Sequence, residues 1–409
     1  MSQYLSKYFS GIGAKRLSEV EINPATSNQH EFNGIAEFLK IFGTEKISFK
    51  GKFIYLEDDP EKTLLEDGIL TWYDARANHP SRTEYRLYYS TNAVIEGANV
   101  GDLVFIGRRS KDELVIIIAS EGTTTEQQIK WLFGFEEIGN KFIVKDIAIE
   151  DKSLDYFEKK IVALLDIDPI ETAPDFLGTL LAKFGNTFPA TALFSEFARS
   201  TVVDLSPIEE PDKTLVRWLE REEILFKTLE KHIVSKRLEK GFGNKGIDVD
   251  EFINYSLSVH NRRKSRAGYS FENHLEAIFL ENKLSYSRGQ KTERNNKPDF
   301  IFPGIAHYRD SSFNSDLLTM LGVKTTAKDR WRQVLSEAER IENKHLITLE
   351  PAISINQTDE MRALNLQLIV PAEIIPTYTE KQKSEIISLS DFIGIVRDRQ
   401  TKCKDGRCS

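Results

Sequence analysis

A charged side chain at the end of an apolar run stays hydrated only if the run stops at the rim of a sheet. This chain repeats that pattern in its last third. PDF (298–300) sets Asp299 at the start of a short apolar stretch, and Lys324 closes the run LLTMLGV (317–323). Two strands ending in an acid and a lysine, with a helical stretch after them, fit an α/β sheet that carries both groups on one rim. Twelve residues separate Lys324 from Glu337, enough to turn into a helix and return a second carboxylate. Two carboxylates can hold a divalent cation such as Mg²⁺, and a lysine can offset charge growing on phosphorus. The set therefore reads as a phosphodiester-cleaving site. The residues leave a plainer reading open, because Asp after Pro is common in turns.

The spacing predicts a helix over about 327–341. Lys328, Asp329 and Arg330 crowd its start, and each can hydrogen-bond a base edge. On such a helix Arg330 and Glu337 share a face, roughly 10 Å apart. The surrounding pattern reads helix (270–283), strand (297–303), strand (317–325), helix (327–341), strand (344–350), strand (366–371) and helix (386–399), an α/β sandwich with its site at strand ends.

These segments carry a resemblance. GFGNKGIDVDEFINYSLSVHNRRKSRAGYSFENHLEAIF (241–279), KPDFIFPGIAHYRD (297–310) and MLGVKTTAKDRWRQVLSEAERI (320–341) resemble the catalytic domain of EcoRII-type restriction endonucleases over roughly the last 200 residues. The resemblance implies a restriction-endonuclease-like PD-(D/E)xK α/β/α domain. It makes Asp299 and Glu337 the metal carboxylates, Lys324 the catalytic lysine, and Lys328, Asp329 and Arg330 readers of C:G pairs. It adds Tyr308 as a catalytic support, Glu272 as a further metal ligand and Arg263 as a DNA contact. In the first half, AKRLSEVEINPATSNQH (14–30) and SRTEYRLYYS (81–90) resemble parts of that family's amino-terminal effector domain, a B3-like β pseudobarrel that binds a second DNA site. FPATALFSEFARS (188–200) resembles the connection. The basic hairpin of that effector domain has no counterpart after Ser90, where NAVIEGANVGD (92–102) is acidic.

Read from the residues, the first half carries short β-type runs at 45–56, 84–90, 102–107 and 113–119, a capped helix over 123–135 and helical pieces over 155–200. The expected organisation is a DNA-binding domain over 1–175, a connection and linker over 176–214, the catalytic domain over 215–400 and a polar tail over 401–409. VDLSPIEEPDKT (203–214), rich in proline and acid, is the expected linker. The amphipathic stretch 215–240 is read as a core helix, with a dimer surface as the alternative.

The net charge of −8 disfavours a uniformly basic DNA-binding surface. Yet residues 255–345 hold 16 Lys and Arg against 11 Asp and Glu, a local +5, and phosphate contacts are local. NRRKSRAG (261–268), with Arg263 and Arg266, is either a solvated loop or a grip on DNA. WYDARANHPSRTEYR (72–86) offers Arg76 and Arg82 as DNA contacts, or forms a surface loop with an aromatic anchor. His30 in SNQH (27–30) can meet a base edge or sit in a turn. His274 and His345 lie in apolar settings and are expected to be packed. Cys403 and Cys408 in the polar tail suggest neither a disulfide nor a zinc site. No 18-residue apolar run or signal-peptide core is present, so the chain reads as cytoplasmic.

The expectation is thus a Mg²⁺-dependent homodimeric type II (type IIE) endonuclease. It would cut double-stranded DNA at a CC/GG-containing site such as CCWGG, accompany a cognate DNA methyltransferase, and be autoinhibited by its first domain. A catalytically silent DNA-binding regulator and a modification-dependent or repair nuclease are the alternatives.

Overall fold

A computed structural model describes residues 4–22, 30–147, 154–169, 172–327 and 330–404. The chain divides into two compact units, residues 1–169 with 352–356, and residues 170–351 with 357–409.

Among its described residues unit 1 has eight strands: β1 (Gly11–Arg16), β2 (Glu31–Asn33), β3 (Ile47–Leu56), β4 (Leu64–Asp74), β5 (Tyr85–Tyr89), β6 (Leu103–Arg108), β7 (Glu113–Ala119) and β8 (Ile143–Asp146). They pair in the order β2-β5-β4-β3-β7-β6-β1-β8. Among the described residues no ladder joins β2 to β8. The described residues thus form an open sheet, and the closure expected of a B3-like pseudobarrel is not seen among them. ELVIIIA forms its centre, with both faces covered. Val115 and Ile117 face Ile129 and Leu132 of helix α1 (Thr124–Leu132) and Ile161 of α2 (Tyr156–Leu164). Leu114, Ile116 and Ile118 face Phe38, Phe53 and Trp72.

Strands β1, β2, β4 and β8 were not expected. GIGAKR and LLEDGILTWYD carry glycine and charge that weaken a local β signal. Their pairing is decided by neighbours: a Cβ at Gly13 would lie 2.3 Å from the Phe38 ring, so that strand needs glycine to accept the aromatic residue.

Unit 2 begins with helices α3 (Leu177–Phe184), α4 (Thr191–Ser200), α5 (Pro211–Lys240) and α6 (Val249–Glu281). Leu180, Phe194, Phe197, Leu225, Phe226 and Leu229 form their core. The expected linker 203–214 ends inside α5. Pro211 occupies the first turn, where its missing N–H costs nothing. The buried Asp212 carboxylate accepts the amides of Ala372, Leu389 and Ser390 at 2.9–3.1 Å. NRRKSRAG is likewise helical, part of the 33-residue α6 rather than a loop before a helix.

The second sheet has the order β13-β12-β11-β10-β9, from β9 (Ser287–Arg288), β10 (Phe300–Phe302), β11 (Thr319–Lys324), β12 (Lys344–Thr348) and β13 (Leu366–Ile369). β11, β12 and β13 run parallel, while β9 and β10 are antiparallel additions. Phe279 of α6 meets Phe300 and Phe302 edge-on at 5.2 and 5.3 Å. Phe392 of α8 (Leu389–Lys404) meets Phe302 at 5.7 Å. Helix α7 (Ile355–Ala363) precedes β13. Among the described residues no helix is long and apolar enough to cross a membrane.

Candidate metal-assisted active site

Asp299 and Lys324 meet because β10 and β11 are neighbours, with Phe300 opposite Leu321. Oδ2 of Asp299 accepts the Val323 amide at 2.6 Å and the Nζ of Lys324 at 3.2 Å. Both bonds fall on one oxygen. The carboxylate is thereby fixed in orientation while its other oxygen faces away from these donors.

Glu337 arrives by a route other than the expected helix over 327–341. The helix there spans only Trp331–Leu335, and Ala338 adopts φ +51°. The next polar groups are captured from outside: Asn296 Nδ2 donates to the Ser336 carbonyl at 2.6 Å. The Glu339 amide donates to Glu293 and the Arg340 amide to the Tyr308 hydroxyl, both at 3.3 Å. These partners replace i→i−4 bonds and turn Glu337 inward. The shared-face geometry of Arg330 and Glu337 does not occur. Gly322 lets the short helix close onto β11, since a Cβ there would lie 2.7 Å from Val334 Cγ2.

Burial pushes the Glu337 carboxyl up to about 7, a rise opposed by Lys324 and reinforced by the Asp299 charge. Its Oε2 is buried without a hydrogen-bond partner. An orphaned carboxylate oxygen within electrostatic reach of a second carboxylate and a lysine fits a divalent cation. Asp299 and Glu337 are the residues that would hold it. Among the described residues no three His, Cys, Asp or Glu side chains cluster as ligands.

Other expected residues fall differently. Glu272 is not grouped as a third ligand, because Arg288 Nη2 holds its Oε2 at 2.9 Å. It does lie within electrostatic reach: burial and then the Asp299 charge raise its pKa, while Arg288 and Lys324 oppose the rise. Tyr308 is buried, and its hydroxyl donates to Glu293 at 2.6 Å. It braces the chain that carries Glu337 and is not free to meet substrate. Arg266 is buried, with Nη1 donating to the Pro189 carbonyl at 2.9 Å and Nη2 lying 3.5 Å from Glu222. Those contacts turn its guanidinium inward rather than toward solvent. Arg263 pairs with Glu230 at 2.5 Å but remains half exposed. Arg330 is exposed, and Lys328 and Asp329 lie outside the described residues.

In unit 1, Trp72 is core, stacked on Tyr85 with ring centroids 5.2 Å apart. The 72–86 segment therefore comprises the end of β4, an exposed connection over 75–83 and the start of β5, on an aromatic anchor. Arg76 is ion-paired with Glu84, and Arg82 is exposed. His30 Nε2 lies 3.4 Å from Thr91 Oγ1. The rest of SNQH (27–29) lies outside the described residues. His274 and His345 are buried as expected, and burial lowers both imidazoles, His345 to about 4.

Arg288, Glu293 and Asn296 carry the site's geometry and were not legible in the sequence. Their partners lie 12 to 46 positions away, so no local periodicity marks them.

An acid and a lysine at one sheet rim, with a second acid folded back beside them, define a class of α/β domain. Within that class the second half of this chain is similar to the EcoRII type. Residues 226–393 match the family model described as EcoRII C terminal. The chain is 42% identical over 207 residues to the Type II restriction enzyme EcoRII of Escherichia coli, covering 50% of each chain. It is 25% identical over 151 residues to the Type II restriction enzyme SsoII of Shigella sonnei, covering 34% of this chain and 48% of that one. It thus spans about half the length of the curated relatives it matches. Among solved structures, metal-depleted Ecl18kI in complex with uncleaved DNA is similar over 56% of this chain and 86% of that one, at 18% identity and a TM-score of 0.45. The restriction endonuclease PspGI–substrate DNA complex is similar over 53% and 94%, at 17% identity and a TM-score of 0.43.

Proposed function

We propose that this protein is a type II restriction endonuclease that hydrolyses phosphodiester bonds of duplex DNA at a short CC/GG-containing site of the CCWGG kind. The observation that carries the reading is the Asp299–Lys324 pair within electrostatic reach of the buried, orphaned Glu337 carboxyl, within a stretch 42% identical to EcoRII. Asp299 and Glu337 would hold Mg²⁺, which when bound would supply Lewis-acid polarisation of the phosphate and a more acidic water. Lys324 places a cation where charge grows on phosphorus and orients the attacking water. Lys328, Asp329 and Arg330 read bases; Arg263, Arg76, Arg82 and His30 are further DNA contacts. A palindromic target is cut symmetrically by a homodimer whose two-fold axis matches it. Unit 1 binds DNA and restrains the nuclease until a second site is bound. A cognate methyltransferase protects the host. The protein acts in the cytoplasm, where that DNA lies.

The test is digestion of unmethylated and CCWGG-methylated plasmid with Mg²⁺, followed by sequencing of the ends. Discrete ends at CC/GG sites on the unmethylated plasmid are expected. No cleavage, or cleavage that requires methylation, overturns the reading.

A further inference from the structure

Helix α6 has a buried side and an outward side of unusual composition. Val259 and Arg266 are buried, and the Arg262 guanidinium lies over the Phe188 ring at 4.0 Å. At 100° per residue the opposite side carries Asp250, Ile253, Leu257, Asn261 and Lys264 in one stripe. Ile253 is 48% and Leu257 55% exposed. A lone exposed leucine means little. Here, however, the two apolar residues lie between an acid and a lysine placed seven residues before and seven after Leu257. Asp250 and Lys264 are both exposed, and neither has an ion-pair partner among the described residues.

That spacing is self-complementary. If the same helix runs antiparallel across a two-fold axis at Leu257, Leu257 meets Leu257, Ile253 meets Asn261, and Asp250 meets Lys264 twice. The charged pairs then flank an apolar centre at roughly 10 Å on either side. Parallel pairing would set like charges together. Self-complementarity of this kind is what an isologous contact requires.

We infer that a second copy of this chain docks on the outward face of α6, forming an antiparallel α6–α6 pair with Leu257 on the two-fold axis. This rests on, and sharpens, the homodimer proposed above.

The test uses the full chain. Leu257→Cys, made with Cys403→Ser and Cys408→Ser, is oxidised with copper phenanthroline; a reducible covalent dimer is expected. In sedimentation, Asp250→Lys and Lys264→Asp each raise the dimer dissociation constant by about tenfold or more. The double exchange restores it to within about threefold. A dimer that neither cross-links nor responds to the charge exchanges overturns the α6 pairing and leaves the homodimer reading standing. A monomer at every concentration overturns both. Loss of DNA binding with the dimer constant unchanged assigns the face to DNA and also overturns the pairing.

Discussion

Lys324 donates to the same Oδ2 of Asp299 that accepts the Val323 amide, at 3.2 and 2.6 Å. A strand ladder thus fixes the acid and lysine relative to each other before any ligand arrives. In the proposed reaction the pair belongs to metal and phosphate rather than to base reading.

Asp299→Asn or Lys324→Ala should accordingly lower the cleavage rate by about 10² or more while changing cognate binding little. Plasmid cleavage in Mg²⁺ and gel shifts in Ca²⁺ measure the two separately. Near-normal cutting by either variant would remove these residues from the chemistry.

Glu337 predicts a pH dependence. Its carboxyl rises from 4.5 to about 7, burial being the largest cause. With a raised folded-state pKa, its stability contribution is complete below about 4.5. That contribution is lost as pH rises through about 7 and amounts to on the order of 2–3 kcal/mol in the metal-free protein. Mg²⁺ requires the deprotonated form. Cleavage at subsaturating Mg²⁺ should therefore climb between pH 6 and 8, with a midpoint that falls as Mg²⁺ increases. Glu337→Gln should flatten the pH dependence of metal-free melting. A midpoint indifferent to Mg²⁺ would sink the assignment.

Arg266→Ala should cost about 3–5 kcal/mol of stability, because it leaves the buried Glu222 carboxylate without its guanidinium neighbour. Denaturant melts read the loss. DNA affinity per folded molecule should hold, and a selective loss of affinity in a normally stable variant would return Arg266 to the DNA contacts.

Arg330 is exposed at the start of the Trp331–Leu335 helix. As a guanine reader it should give about 1–3 kcal/mol of discrimination. Arg330→Ala should weaken cognate binding far more than random-sequence binding in competition gel shifts. Equal losses would make it a phosphate contact.

A chain beginning at residue 170 keeps Leu180, Phe194 and Phe197 against Leu225, Phe226 and Leu229, whereas one beginning at 205 loses them. The first should melt cooperatively, and under the proposed restraint by unit 1 it should cut single-site DNA at least as fast as the full chain. The second should aggregate or melt broadly. Slower cutting by a folded 170–409 chain would make unit 1 an activator.

By itself the sequence determined the elements with a strong local signal. The branched run ELVIIIA could only be a buried strand, Thr123 capped its helix, and PDF and LLTMLGV-Lys placed an acid and a lysine at strand ends. It also located the acid at 337, because residue identity and spacing are local facts. Only the tertiary structure decided how that acid reaches the site. The helix stops at Leu335 because Asn296, Glu293 and Tyr308 take up the following backbone groups. Likewise only packing decided that Arg266 turns inward to Glu222 and Pro189, though it shares NRRKSRAG with the half-exposed Arg263. Periodicity reports which residues can share a face; the partners that satisfy a buried charge or an unpaired amide come from elsewhere in the chain, and folding alone brings them together.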